Sequence, residues 1–271
     1  MSKSLVSIII PTKNESKNIK RCLLSCQDQT YKNIEIIIID NYSTDNTLDI
    51  AKQFTKNIYL AGFERSQQRN YGAAKAKGIY LLFLDADMEL ETGLVKSLIT
   101  EVKNGEYRAI IIPEKSTGRG FWAKSVALER SCYLGDPTIE AARLFEKKLF
   151  DQLGGFDENL TAAEDWDLTL RAKTFGAKIS RIKNFLMHHE TNSFKNLVLK
   201  KYYYAQDISS YAKKHPYQFI KQSNLILRPA YLRNWQKLAK DPLYTTGFLT
   251  IKIFQTILGA IGFLRSKRNR T

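Results

Sequence analysis

Cysteine is scarce, with three in 271 residues. Cys22, Cys26 and Cys132 are odd in number, with no CxxC pair and no Cys/His cluster. A disulfide framework and a zinc site of that kind are therefore excluded, and a reducing compartment fits. Cys22 and Cys26 have helical i, i+4 spacing beside Ile19 and Leu23, which turns them toward a core. The Gly-rich phosphate cradles are missing as well. There is no G-x-G-x-x-G and no Walker loop, so the common dinucleotide and P-loop sites are excluded. Internal repeats and low-complexity linkers are absent. The first residues lack the pattern of a signal peptide, since Lys3 precedes only Leu5-Val6 and Ile8-Ile9-Ile10 before Pro11 closes the run. Acidic residues are outnumbered by 42 Lys and Arg to 27 Asp and Glu, giving a net charge of +15. The excess gathers after about Lys195 and ends in Arg265-Ser266-Lys267-Arg268-Asn269-Arg270. Such a balance points to an anionic partner (nucleic acid, a membrane surface or phosphorylated substrates) or to a solvated basic face.

Hydrophobic residues make up 44% of the chain and charged residues 25%, a globular composition. The length suits one large domain, or a domain with an appendage. β-branched apolar runs predict strands over Leu5 to Ile10, Ile34 to Ile39, Asn57 to Leu60, Ile79 to Leu84 and Ala109 to Ile112. Helical patterns lie between them: Ile19 to Cys26, Asp45 to Phe54, Gln67 to Lys77, and after Thr92 with Leu94, Val95, Leu98, Ile99 and Val102 on one face. This alternation predicts a mainly parallel sheet with right-handed crossovers. Polar clusters fall where strands end: Pro11-Thr12-Lys13-Asn14-Glu15, Asp40-Asn41-Tyr42-Ser43-Thr44-Asp45 and Asp85-Ala86-Asp87. Three polar loops on one rim of an open sheet is nucleotide-site geometry. Asp85 and Asp87, at i and i+2, leave an extended chain on the same side. Hard oxygen ligands so placed suit Mg²⁺ or Mn²⁺, which takes its remaining ligands from water and substrate phosphates.

After Pro113 the pattern changes. Lys115 to Tyr133, with Gly118, Gly120, Phe121 and Trp122, reads as a loop and helix forming a lid or acceptor wall. A helix is expected over Glu146 to Leu153, stopped by Gly154-Gly155. Another opens at Glu164-Asp165-Trp166-Asp167 and runs to Thr174, its acids favourable to the helix dipole. A short strand over Ala177 to Arg181 leads to His188-His189-Glu190, and the remainder reads as helical. The apolar stretch Phe248 to Leu264 spans only 17 residues and contains Lys252 and Gln255, which is short and polar for a membrane span. Lys252, Thr256 and Gly259 form one face, with Ile251, Phe254, Leu258 and Ile261 largely opposite. An amphipathic helix beside a basic tail, lying on an anionic cytoplasmic leaflet, fits this pattern; a helix packed on the domain, or a dimer contact, is the alternative.

In order and spacing, Pro11-Thr12-Lys13-Asn14-Glu15, Asp40-Asn41, Arg69-Asn70, Asp85-Ala86-Asp87 and Glu164-Asp165 resemble glycosyltransferase family 2 over about residues 4 to 190. The resemblance implies a GT-A fold and inverting transfer from a nucleotide-sugar donor. It implies that Pro11, Thr12, Glu15 and Asp40 hold the nucleoside, with Asn41 where many relatives carry a second acid. Arg69 and Asn70 would face the donor diphosphate. Asp85 would contact the ribose or the metal shell, Asp87 would ligate Mg²⁺ or Mn²⁺, and His188, or His189 beside it, would complete the metal site. Asp165 would be the catalytic base, and Glu164 would orient the acceptor or Asp165. Trp166 and Trp122 are candidate acceptor contacts.

The expectation is thus an α/β, GT-A type fold with a mainly parallel Rossmann-like sheet. The catalytic domain is placed at 1–190 and a helical C-terminal extension at 191–271. The expected partners are a nucleotide-sugar donor, a glycan or lipid-linked acceptor and the inner face of the cell membrane, with no nucleic acid, in cell-surface polysaccharide or glycolipid assembly. A sugar nucleotidyltransferase should carry a Gly-rich basic loop after the first strand, which is missing. A nucleic-acid-binding protein should interleave basic and aromatic residues on one module, whereas here the basic charge gathers beside an apolar helix. A catalytically inactive glycan-binding relative is disfavoured by the intact acids.

Overall fold

The uninterrupted apolar runs become strands covered on both faces. The structure, a computed structural model, describes residues 4–223 and 228–268. The chain runs β1 (Val6–Thr12), α1 (Ile19–Gln27), β2 (Ile34–Asp40), α2 (Thr47–Ala51), β3 (Ile58–Leu60), α3 (Arg65–Lys75), β4 (Tyr80–Phe83), β5 (Met88–Leu90), α4 (Leu94–Gly105) and β6 (Ala109–Ile111). It continues with β7 (Glu114–Thr117), α5 (Phe121–Ser131), β8 (Ala142–Glu146), α6 (Lys147–Gln152), α7 (Glu164–Thr174), β9 (Ile179–Arg181) and β10 (Leu186–His189). Five helices follow: α8 (Phe194–Lys214), α9 (Pro216–Ser223), α10 (Pro229–Arg233), α11 (Trp235–Lys240) and α12 (Pro242–Arg268).

The chain divides into two compact units. One takes in the chain up to Glu114, Ala141–Glu158 and Glu164–Met187; the other takes in Lys115–Glu140, Asn159–Ala163 and everything from His188. The first holds a seven-stranded sheet ordered β3-β2-β1-β4-β8-β6-β9. Neighbours are parallel except at β8, which runs antiparallel to both β4 and β6. The mainly parallel sheet is the expected one. Strand β8 was not expected, and neither was β7 in what reads as a loop. Alternate residues serve opposite faces: Ile8, Ile10, Ile36, Ile38 and Leu82 join one core, while Ile9, Ile37, Ile39, Leu81 and Phe83 join the other. This is why the strands read as continuous apolar runs rather than alternating ones. Helices α1 and α4 bury the residues their periodicity selects. Helix α2 is shorter than Asp45 to Phe54, because the Asp45 carboxylate accepts the Thr47 and Ser16 amides instead of entering the helix.

In the second unit α12 is 27 residues long, longer than the 17-residue apolar stretch. Lys252 and Gln255 are turned inward, while Thr256 is exposed. Lys252 Nζ lies 2.7 Å from Glu129 on α5, and Gln255 Nε2 donates to Leu197 O on α8 at 2.9 Å. Gly262 lets α8 approach, since a Cβ there would lie 2.8 Å from Tyr202 O. Ile251, expected on the outer face, is buried with Val126 and Leu197. Leu249, Ile253, Phe254, Ile257 and Ile261 are exposed. The segment Pro242–Phe263 is long and apolar enough to cross a membrane by length and composition, with a mean hydropathy of 1.4. The backbone of the basic tail is helical to Arg268; Asn269, Arg270 and Thr271 lie outside the described residues.

Candidate active site

Strands β1 and β2 end in register, Thr12 beside Asp40. The fully buried Asp40 carboxylate accepts the Thr12 hydroxyl at 2.8 Å, the Ser43 hydroxyl at 2.6 Å and the Ser43 amide at 2.6 Å. Those bonds meet the demand of a buried anion for partners. The loops beyond are laced together: the Asn14 amide donates to Ser43 Oγ at 2.7 Å, and Asn14 Oδ1 accepts the Thr44 amide at 2.8 Å. Asn14 and Tyr42 turn these loops through left-handed backbone, at φ 54° and 50°, a conformation Asn tolerates better than Tyr. Pro11 is buried in β1. The Glu15 carboxylate accepts Asn18 Nδ2 at 2.8 Å, and its amide donates to Thr47 Oγ1 at 2.7 Å.

Gly72 brings α3 hard against the sheet; a Cβ there would lie 2.5 Å from Ile9 Cγ2. That close approach sinks Arg69 to full burial. Its Nη2 donates to Asp85 Oδ1 at 2.6 Å, and its Nη1 to Glu164 Oε1 at 3.1 Å and Asp165 Oδ1 at 2.9 Å. Its guanidinium also lies over the Phe156 ring. Arg65, one turn earlier, reaches Glu164 at 3.3 Å. Acids from the end of β4 and the start of α7, some 80 positions apart in the sequence, thus meet on one side chain. Asp85 and Asp87 are half-buried and flank the buried Ala86, as their spacing requires.

Burial alone would raise the Asp85 carboxyl. The Arg69 and Arg143 guanidiniums, with Arg65 beyond, hold it far below the usual carboxylate range. Burial pushes Glu164 up; Arg65 and Arg69 work against this, and the neighbouring Asp165 charge adds to it. Exposure distinguishes the pair: the Asp165 side chain is 27% exposed and the Glu164 side chain 4%. Of the two, Asp165 is the one open to solvent. Sequence reasoning missed Arg143 on β8, whose Nη1 lies 3.4 Å from Asp85 Oδ2. The only signal for it was a lone charge between Ala142 and Leu144-Phe145.

Two other candidates, Arg69 and Asn70, are bonded within the protein. Arg69 is committed to three carboxylates. Asn70 pins the turn after Gly155, bonding Phe156 through both backbone groups and reaching Glu158 at 2.9 Å. Asp167 is buried and pairs with Arg171, whose other nitrogens hold the carbonyls of Leu153 and Gly155. Trp166 is half-buried on the first turn of α7.

The profile of Glycosyl transferase family 2 matches residues 7–156. The chain belongs to glycosyltransferase family 2. Chondroitin synthase of Escherichia coli is 27% identical over 253 residues, which is 88% of this chain but 37% of that protein. The PGL/p-HBAD biosynthesis glycosyltransferase of Mycobacterium bovis (strain BCG / Pasteur 1173P2) is 29% identical over 216 residues, covering 74% of this chain and 83% of the relative. Among solved structures, the mannosyltransferase PcManGT from Pyrobaculum calidifontis, in complex with GDP-Man and Mn²⁺, superposes with a TM-score of 0.65 at 16% identity, over 96% of this chain and 86% of that one. This glycosyltransferase therefore shares its fold with that enzyme.

Two candidates of the family 2 reading lie in the second unit. Trp122 packs on Phe121 and Phe194. His188 is buried on β10, its Nδ1 2.8 Å from Glu190 Oε1. Glu190 also accepts from Arg130 at 2.9 Å and Ser116 at 2.7 Å. Burial raises the Glu190 carboxyl, but these partners bring it down to about 2. A carboxylate on Nδ1 is how metal-ligating histidines are oriented. Among the described residues no three metal-ligating side chains cluster. Mg²⁺ and Mn²⁺ need no such cage where a diphosphate supplies oxygens, so the carboxylate of Asp87 suits a donor-delivered ion.

Proposed function

We propose that the chain is an inverting, metal-dependent glycosyltransferase that moves a sugar from a nucleotide donor to a hydroxyl of a glycan or lipid-linked acceptor. The observation that carries this reading is the meeting of Asp85, Glu164 and Asp165 on Arg69. Asp165, reachable and one residue from a buried acid, takes the acceptor proton as its oxygen attacks the anomeric carbon from the face opposite the diphosphate. A single displacement inverts the centre and needs no covalent intermediate. Asp40 and Thr12 shape the nucleoside end. Asp87 would hold a divalent ion, whose charge would offset that of the leaving diphosphate.

Thermal shift across UDP- and GDP-sugars tests this reading. With Mn²⁺ one donor should raise the melting temperature, by about 2.7 kcal/mol of stabilisation at a hundredfold excess over Kd. EDTA or Asp87→Ala should abolish the shift. Metal-independent stabilisation, or none from any donor, would refute the reading.

We further propose that the enzyme lies on the inner face of the cell membrane. From residue 191 onward the chain carries 15 Lys and Arg and two acids, Asp207 and Asp241. In the sequence, four of these basic residues, Arg265, Lys267, Arg268 and Arg270, directly follow the exposed apolar row of α12, the combination that binds anionic leaflets. Because Lys252 and Gln255 are bonded inward, α12 is read as lying on the bilayer rather than spanning it. Wild-type protein should float with vesicles containing phosphatidylserine and not with phosphatidylcholine alone. The Ile253→Glu/Ile257→Glu double variant, folded by circular dichroism, should remain at the bottom of the gradient. Equal flotation of both proteins would exclude this docking face.

A further inference from the structure

Arg143 is the extra residue of a β-bulge. Along the β6–β8 ladder Ile110 faces Leu144 and Ile111 faces Ala142, so Arg143 opposes no residue of β6. Bulges bend a strand and re-aim a side chain, often beside an active site. The Arg143 side chain, 8% exposed, turns to the carboxyl end of β4. There Nη1 lies 3.4 Å from Asp85 Oδ2, while Nε and Nη2 donate to Glu114 Oε1 at 2.9 and 2.5 Å. A guanidinium this deep in a strand of Ala142, Leu144 and Phe145 brings the core little, because well-packed apolar residues are at least as stable as buried ion pairs. Its effect falls on Asp85, which is gripped at both oxygens: Oδ1 by Arg69 and Oδ2 by Arg143.

We propose that Arg143 is a positioning residue for glycosyl transfer. The bulge aims it at Asp85, Glu114 fixes its plane, and the two arginines together lock the Asp85 carboxylate in the orientation that receives the donor. The same framework continues through Arg69 to Asp165, so the donor-side acid and the base are set relative to one another by a chain of ion pairs. This inference rests on the functional reading above.

The test compares wild type with Arg143→Gln, Arg143→Lys and Glu114→Gln. Affinity for UDP and GDP with Mn²⁺ is measured by calorimetry, donor KM and kcat by transfer, and stability by thermal melt. Loss of a hydrogen bond to a charged group should weaken nucleotide binding and raise donor KM about 10- to 100-fold in Arg143→Gln, with kcat less affected. Arg143→Lys should recover part of this, because one ammonium reaches Asp85 but does not also fork onto Glu114. Glu114→Gln, which keeps the guanidinium, should shift KM in the same direction by less, and it carries the test if Arg143→Gln fails to fold. A lowered melting temperature with unchanged nucleotide affinity and donor KM would mark a purely structural residue and overturn the inference. If wild type binds neither nucleotide, the functional reading falls and takes this inference with it.

Discussion

Asp165→Asn should lower kcat by about 10²- to 10⁴-fold, the usual worth of a general base, and leave UDP or GDP affinity unchanged. The two effects separate because of the site's layout. Asp165 shares Arg69 with the donor-side acid but has its own exposed edge. Asparagine keeps the Oδ1 acceptor for the Arg69 Nη1 bond, so the guanidinium stays in place and Asp85 is undisturbed. What is lost is the ability to accept the acceptor's proton. Transfer assays beside calorimetry on the same sample decide the matter. Retained turnover would remove Asp165 from the role of base, and lost nucleotide affinity would show that the substitution had disturbed the donor side.

Arg69→Met should be the most destabilising single change in the first unit. It removes the cation serving Asp85, Glu164 and Asp165 at once. Breaking a fully buried pair costs about 3–5 kcal/mol. Because Asp85 and Asp165 keep some contact with water, about 3 kcal/mol is the better figure by the screening of exposed pairs. At about 2–4 °C per kcal/mol for a chain this long, the melting temperature should fall by roughly 10 °C. Arg69→Lys should recover little, since one ammonium cannot present a planar fork to three carboxylates. The loss should shrink as pH falls and the carboxylates protonate. Asp85 is held far below the usual carboxylate range by its arginines, so part of the deficit should persist into acid. An Arg69→Met protein with a wild-type melting temperature would contradict the cluster.

Much of this was legible in the sequence because burial leaves a pattern. Strands covered on both faces need unbroken apolar runs, and Ile8 to Ile10, Ile36 to Ile39 and Leu81 to Leu84 supply them. Helices α1 and α4 each carry one apolar stripe at the helical period. Strand β8 was illegible because Arg143 interrupts a segment of only five residues and because its direction depends on tertiary pairing. The acids of the site were legible as strand-end and helix-start clusters. The partner of Arg69 was not, since a guanidinium that fits a diphosphate also fits a carboxylate. Asn70 shows the same limit: its residue type suits a ligand, but its bonds to Phe156 depend on a turn 86 residues away. On α12 composition suggested two faces, and only packing revealed that Lys252 and Gln255 turn inward together with Ile251, while Thr256 stays exposed.

The place of β8 has a consequence for biosynthesis. It lies in the middle of the sheet yet is the second-to-last of the sheet's strands to be made. While the chain has been released through β6 (Ala109–Ile111) but not yet through β8, β4 has a bare edge and β6 has nothing to join, a state open to intermolecular strand pairing. Emergence of Ala142 to Glu146 closes that gap and in the same event delivers Arg143 to Asp85. The nascent chain thus closes this gap in its sheet and holds Asp85 at both oxygens in one step, and Glu164 and Asp165 join them only when α7 follows.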